Sequence, residues 1–265
     1  MIVKKFSYIS LVLGVFLLGS CKDSGNIPMD KNYPTTIYKL STADYENAYK
    51  NYIARNQHIT SDIDSFGFCS LTKNRNDVAY PPLKKITKEE AIKIVKDFIA
   101  KNPKETGISD ASKVNLNFSN ETFTYDGSQL IVFMSDNQIV SNVELLFSPI
   151  VFHVYNGYIR YCRGNWYDKV YIPNSFSVDS IKAKSNLKNR VMTHYDIAGK
   201  PYYVKITTAD LEKSTSKLKI YPIKDAKKIE LRVTWEINIP TPVYYKIYID
   251  VMTGEVIAEV PTFIS

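Results

Sequence analysis

Leu231-Arg-Val-Thr-Trp235-Glu-Ile237-Asn-Ile239, then Tyr245-Lys-Ile-Tyr-Ile249-Asp250-Val-Met-Thr253-Gly254-Glu255-Val256-Ile257, is the stretch on which the reading of the fold turns. Apolar residues alternate with polar ones, the period of strands with one buried face. Between the second run and the closing strand, Asp250 can cap a turn and Gly254 can supply positive φ. Trp235 reads as a core residue beneath a helix. Strands joined by turns this short must pair antiparallel.

Upstream the same grammar recurs. Asp126-Gly127 and Asn156-Gly157 each sit between β-rich runs and read as hairpin turns. Gly199-Lys200 reads as a further one. Strands are expected around Val114–Phe118, Ile150–Tyr155, Tyr158–Tyr167, Tyr202–Thr207, Lys217–Tyr221, Ile229–Ile239, Val243–Val251 and Glu255–Val260. Three segments have helical spacing. Tyr45, Ala48, Tyr49, Tyr52 and Ile53 form one stripe within 42–55. Thr87-Lys-Glu-Glu90 is a capping box that opens a helix with Ala91, Ile92, Val95, Phe98 and Ile99 on one face, stopped at Asn102-Pro103. A shorter helix covers 179–187, and 56–85 reads as loop. The order of a capped helix followed by several strands occurs twice, from Ile86 and from about Ser177, a weak internal repeat. The class is α+β, with antiparallel sheets each packed by a helix.

The runs 231–239 and 245–257 resemble the PepSY domain and the related propeptide domains of thermolysin-like proteases, whose pattern is a strand around Trp and then a strand ending Asp-x-x-Thr-Gly-Glu-Val. The helix opened by Thr87-Lys-Glu-Glu-Ala-Ile is similar to the first helix of that module, and 143–166 to its preceding strand pair. The likeness covers about 86–262 and extends to extracytoplasmic regulators of a cell-wall histidine kinase. It implies two tandem modules, 86–173 and 174–265, and a regulatory or protease-inhibitory role. No protease domain follows in this sequence, so inhibition would act on a separate chain.

The N-terminus carries an address. Lys4 and Lys5 precede an apolar run, Ile9–Leu18. Ten helical residues rise about 15 Å, half of a hydrocarbon core of about 30 Å, which fits a signal peptide over 1–20 and not a membrane span. Leu18-Gly19-Ser20-Cys21 resembles the lipobox of bacterial lipoproteins, which implies acylation of Cys21 and anchoring in membrane lipid of the cell envelope, in the outer membrane. Lys22-Asp23 weakly resembles a Bacteroidetes surface-export signal. Residues 21–40 read as the lipidated cysteine and a tether, and 41–85 as an N-terminal helix and loop.

Catalytic patterns are missing from the sequence. His58, His153 and His194 are isolated, and no His-Glu-x-x-His, Gly-x-Ser-x-Gly or phosphate loop occurs. Asp62, Asp64 and Gly67 match three positions of a calcium loop, but Phe66 and Lys73 occupy ligand positions, so the segment reads as a plain turn. No metal or cofactor is expected. Cys69 and Cys162 read either as one disulfide or as two buried thiols. The chain is basic, net +7, yet its lysines are spread without a nucleic-acid motif, so no nucleic-acid partner is expected. Twenty tyrosines enrich the strands; Tyr202, Tyr203, Tyr244 and Tyr245 form the candidate binding surface, with the half-buried pleat as the plainer reading. The leading function is a non-enzymatic protein-binding module on the envelope, its partner a protein. The alternative is a surface glycan- or peptide-binding lipoprotein, and third comes an enzyme built from scattered carboxylates.

Overall fold

The computed structural model describes residues 32–71, 78–195, 198–240 and 242–262. Cys21, the signal segment and most of the tether lie outside them. In chain order the elements are β1 (Thr35–Tyr38), α1 (Thr42–Arg55), β2 (Asp62–Ile63), β3 (Cys69–Ser70), α2 (Lys88–Lys101), α3 (Pro103–Thr106), β4 (Leu116–Phe123), β5 (Gln129–Ser135), β6 (Ile139–Val140), β7 (Val143–Leu145), β8 (Ile150–Tyr155), β9 (Tyr158–Gly164), α4 (Ser180–Ser185), β10 (Val191–Tyr195), β11 (Pro201–Lys205), α5 (Thr208–Lys213), β12 (Thr215–Lys224), β13 (Lys228–Ile239), β14 (Tyr245–Asp250) and β15 (Val256–Pro261). The class is α+β. Among the described residues no helix is long and apolar enough to cross a membrane.

A first sheet runs β4-β5-β8-β9, antiparallel throughout. Its alternation turns Ile131, Phe133, Ile150, Phe152, Val154 and Cys162 to one face, where they meet Ala91, Val95, Phe98 and Ile99 of α2 and Tyr52 of α1. The capping box starts α2: Thr87 Oγ1 accepts from the Glu90 N–H at 3.2 Å, and Glu90 accepts from the Thr87 N–H at 2.8 Å. Pro103 does end α2, but it also occupies the first turn of α3, where its missing N–H costs nothing.

The second sheet is seven-stranded, ordered β15-β14-β13-β12-β7-β6, with β1 also paired to β13. The twelve-residue β13 is its spine: Thr234–Ile239 pairs with β14, and Lys228–Leu231 pairs with β1 on the same edge. α4, α5 and the β10-β11 hairpin cover one end of its apolar face through Ala183, Leu187, Met192, Ile206 and Leu211. Tyr33, Phe66, Phe68 and Tyr167 cover the rest, packing with Ile220, Ile229, Leu231 and Val233. The β6-β7 hairpin leaves the first sheet between β5 and β8 and joins the second, β7 lying parallel to β12 with Lys219 opposite Glu144. Both β1, within the span read as tether, and β6-β7, within 86–173, therefore belong to the sheet built by 174–265.

The turn after β14 forms as its residues dictate. Asp250 Oδ1 accepts from the N–H groups of Met252 (2.7 Å) and Thr253 (3.0 Å), and Gly254 has φ +74°. Asp250 Oδ2 is held by Arg232 at 3.2 Å. Trp235 is half-buried, not enclosed under a helix: its indole N–H donates to the Val178 carbonyl at 2.9 Å, just before α4, and its ring meets Phe176 edge-on. The calcium-like segment is the turn expected of it, with Asp64 Oδ1 accepting from the Phe66 and Phe68 N–H groups and Oδ2 paired to Lys224.

Candidate functional site

β1 has one partner among the described strands. The Lys39 N–H donates to the Lys227 carbonyl at 2.8 Å, one step beyond the pairing of Tyr38 with Lys228. The alternation of an antiparallel ladder then turns the backbone groups of Thr35 and Ile37 toward β13 and those of Thr36 and Tyr38 away from it. The outward edge borders a groove of about 670 Å³, lined by Thr35, Thr36 and Ile37 on one bank and by 167–169 and Tyr171 on the other. Pro103, Lys104, Gly107 and Phe68 also line it.

Both banks are held from beneath. The linker after β9 is clamped by Gln138, whose Nε2 donates to the Tyr167 carbonyl (2.6 Å) and whose Oε1 accepts from the Tyr167 N–H (3.0 Å). The Tyr167 ring meets Phe68 edge-on at 5.5 Å, and burial pushes its hydroxyl up to about 12. The Tyr171 N–H donates to Thr35 Oγ1 at 2.8 Å, which ties linker to strand. Gly107 ends α3 at φ +69°, so close to the linker that a Cβ there would stand 1.8 Å from the Trp166 carbonyl oxygen. On the β1 bank, the Tyr33 hydroxyl accepts from the Val233 N–H at 2.9 Å; burial, then the Asp250 charge, hold it well above the usual tyrosine range. Ser109 donates to Asp168, and this pair separates the groove from a second hollow of about 440 Å³ that contains Asp110, Lys113 and Asp136.

A strand edge unpaired among the described residues, with Phe68 in the groove and flanking Lys104, Lys169 and Asp168, suits an extended peptide. Among the described residues no cluster of three His, Cys, Asp or Glu is arranged to hold a metal.

The tyrosines singled out by sequence do not share one surface. Tyr202 and Tyr203 are both exposed on β11 but, as successive strand residues, point to opposite faces. Tyr244 sits in a turn at φ +48°, and Tyr245 is buried, its hydroxyl donating to the Thr193 carbonyl. Buried His194 lies between Tyr202, stacked at 5.1 Å, and Tyr245, edge-on at 4.9 Å, with its Nε2 unpartnered among the described residues. Cys69 and Cys162 are both buried free thiols in one core cluster. Sequence reasoning missed the groove; its one local signal was the β-prone run Thr35-Thr-Ile-Tyr38 after Pro34.

No protein-family model matches the chain, and no curated protein matches it. Among solved structures it is similar to the Bacillus megaterium YpeB C-terminal domain, at 12% identity and a TM-score of 0.29, over 85% of this chain and 99% of that one. A likeness at that level carries no argument about function, and the α+β assignment stands on the elements described above.

Proposed function

We propose that this chain is a non-enzymatic protein-binding module, anchored to the envelope through Cys21, that holds an extended segment of a partner protein along β1. The observation that carries the reading is the outward backbone edge of Thr36 and Tyr38 beside a 670 Å³ groove. Strand addition draws affinity from backbone hydrogen bonds and selectivity from the flanking side chains. A regulatory or inhibitory effect would follow from sequestering that segment.

Thr36→Pro tests it, because it deletes an outward N–H while sparing the bonds of Thr35 and Ile37 to β13. A photo-crosslinker at Thr36, in full chain in solubilised envelope, should capture a discrete protein. Thr36→Pro, with the crosslinker moved to Lys169, should lose that adduct at an unchanged melting temperature. Equal capture by both proteins refutes strand addition.

The exposed Tyr195 and Tyr203 favour the second reading, a glycan site on the β10-β11 hairpin. Glycan-array binding abolished by Tyr203→Ala and untouched by Thr36→Pro would select it.

A further inference from the structure

Cys69 and Cys162 come from distant parts of the chain and meet beneath the first sheet. Cys69 is on β3, paired with Ile63, and Cys162 is on β9, opposite Phe152. β3 packs directly on β9. Both side chains belong to one buried cluster beside Tyr52, whose hydroxyl lies 3.5 Å from Cys69 Sγ. The packing of β3 on β9 and the shared neighbour Tyr52 bring the two cysteines together before any bond forms. Their access differs. Cys69, itself buried at 2% exposure, borders an open hollow of about 510 Å³ that carries His153, Tyr161, Arg163 and the Lys224–Asp64 ion pair, whereas Cys162 is 0% exposed.

We propose that Cys69 and Cys162 are a dithiol that closes to an intramolecular disulfide, with Cys69 as the point of entry and Cys162 as the resolving thiol. The co-reactant is a small disulfide, RSSR. Cys69 gives up its proton and its sulfur attacks one sulfur of RSSR; the S–S bond breaks and one RS⁻ leaves to take a proton. The Cys162 sulfur, losing its own proton, then displaces the second RS⁻ and forms the Cys69–Cys162 bond. Two protein thiols are oxidised and one small disulfide is reduced to two thiols. The order follows from the surroundings: burial holds the Cys162 thiol well above the ordinary cysteine range, which disfavours it as the first thiolate. Arg163 adds positive charge where an anionic disulfide such as oxidised glutathione would approach, and Asp64, which lines the same hollow, is paired with Lys224. The bond would fasten the β2-β3 hairpin to β9.

The test treats the full chain, purified reduced in detergent, with oxidised glutathione. The protein is then unfolded in an alkylating agent and mapped by peptide mass. The expected result is loss of alkylation at both Cys69 and Cys162, with one linked peptide pair lighter by two hydrogens. Cys162→Ser should stop at a glutathione adduct on Cys69. Wild-type protein that stays folded by circular dichroism yet remains alkylated at both positions overturns the proposal, and so does a first adduct on Cys162.

Discussion

Gly107→Ala isolates the tightest contact under the groove. At φ +69° an L residue carries strain of about 1–2 kcal/mol. The new methyl would also stand 1.8 Å from the Trp166 carbonyl oxygen and 2.6 Å from its carbon, backbone atoms with no rotamer to yield. Forcing that bank outward adds about 1–3 kcal/mol, the range for overpacked sites. The lost freedom of the unfolded glycine returns about 0.4–1 kcal/mol. The net is about 2–4 kcal/mol. Gly254→Ala is the internal comparison, with φ +74° but only the Val178 Cγ2 methyl at 3.2 Å and Asn186 Nδ2 at 3.4 Å, side chains that can shift. Strain alone then applies, and the net is about 1 kcal/mol. At about 2–4 °C per kcal/mol for a chain this size, paired thermal melts should place Gly107→Ala several degrees below Gly254→Ala. Equal melting temperatures would show that 103–109 and 165–171 do not touch as described, and the groove would lose a bank.

Trp235→Phe keeps the edge contact with Phe176 but loses the bond to the Val178 carbonyl, and should cost about 1 kcal/mol in a denaturant melt; Trp235→Ala should cost about 2–3, below the 3–5 of an enclosed aromatic core residue. Cys21→Ser should move the protein from the detergent to the aqueous phase on partitioning; a variant still wholly in detergent would mean that the apolar run 9–18 is retained as the anchor. The Lys219 bond holds the Glu144 carboxyl below its ordinary range, so its folded value is depressed and the stabilisation, present above the unfolded value of about 4.3, is lost as pH falls through the folded one. The melting-temperature gap between wild type and Lys219→Met should accordingly narrow as pH falls below about 4.3; a gap that stays constant through that fall refutes the linkage.

Elements whose cause is local were legible in the sequence. The Thr87–Glu90 box, the apolar stripe of α2, the turns at Asp126-Gly127 and Asn156-Gly157, and the ladder from Ile229 to Val260 all announce themselves within a few residues. Elements created by distant partners were not. Thr35–Tyr38 is a strand because Lys228–Leu231 lies beside it, and Val143–Leu145 because β12 does. β2 and β3 are two residues each, too short for periodicity to register within the predicted loop. α5 had a local signal, Thr207-Thr-Ala-Asp210, a capping box closed by Asp where Glu or Gln is usual. The groove draws its walls from 32–37, 103–109 and 167–171, so no window of sequence contains it.

The lending of β6-β7 to the second sheet bears on whether this chain can be divided. A fragment cut at 174 would keep β10 to β15 but forfeit β7 from one flank of β12 and β1 from the first four residues of β13. Two backbone rims would lie bare to water, one beside Ile220 and the other beside Ile229 and Leu231, all buried in the whole protein. Such rims recruit other chains. The halves that share an order of elements are thus not interchangeable parts: the second, made alone, would be a seed for self-association, and only the strands lent by the first close it.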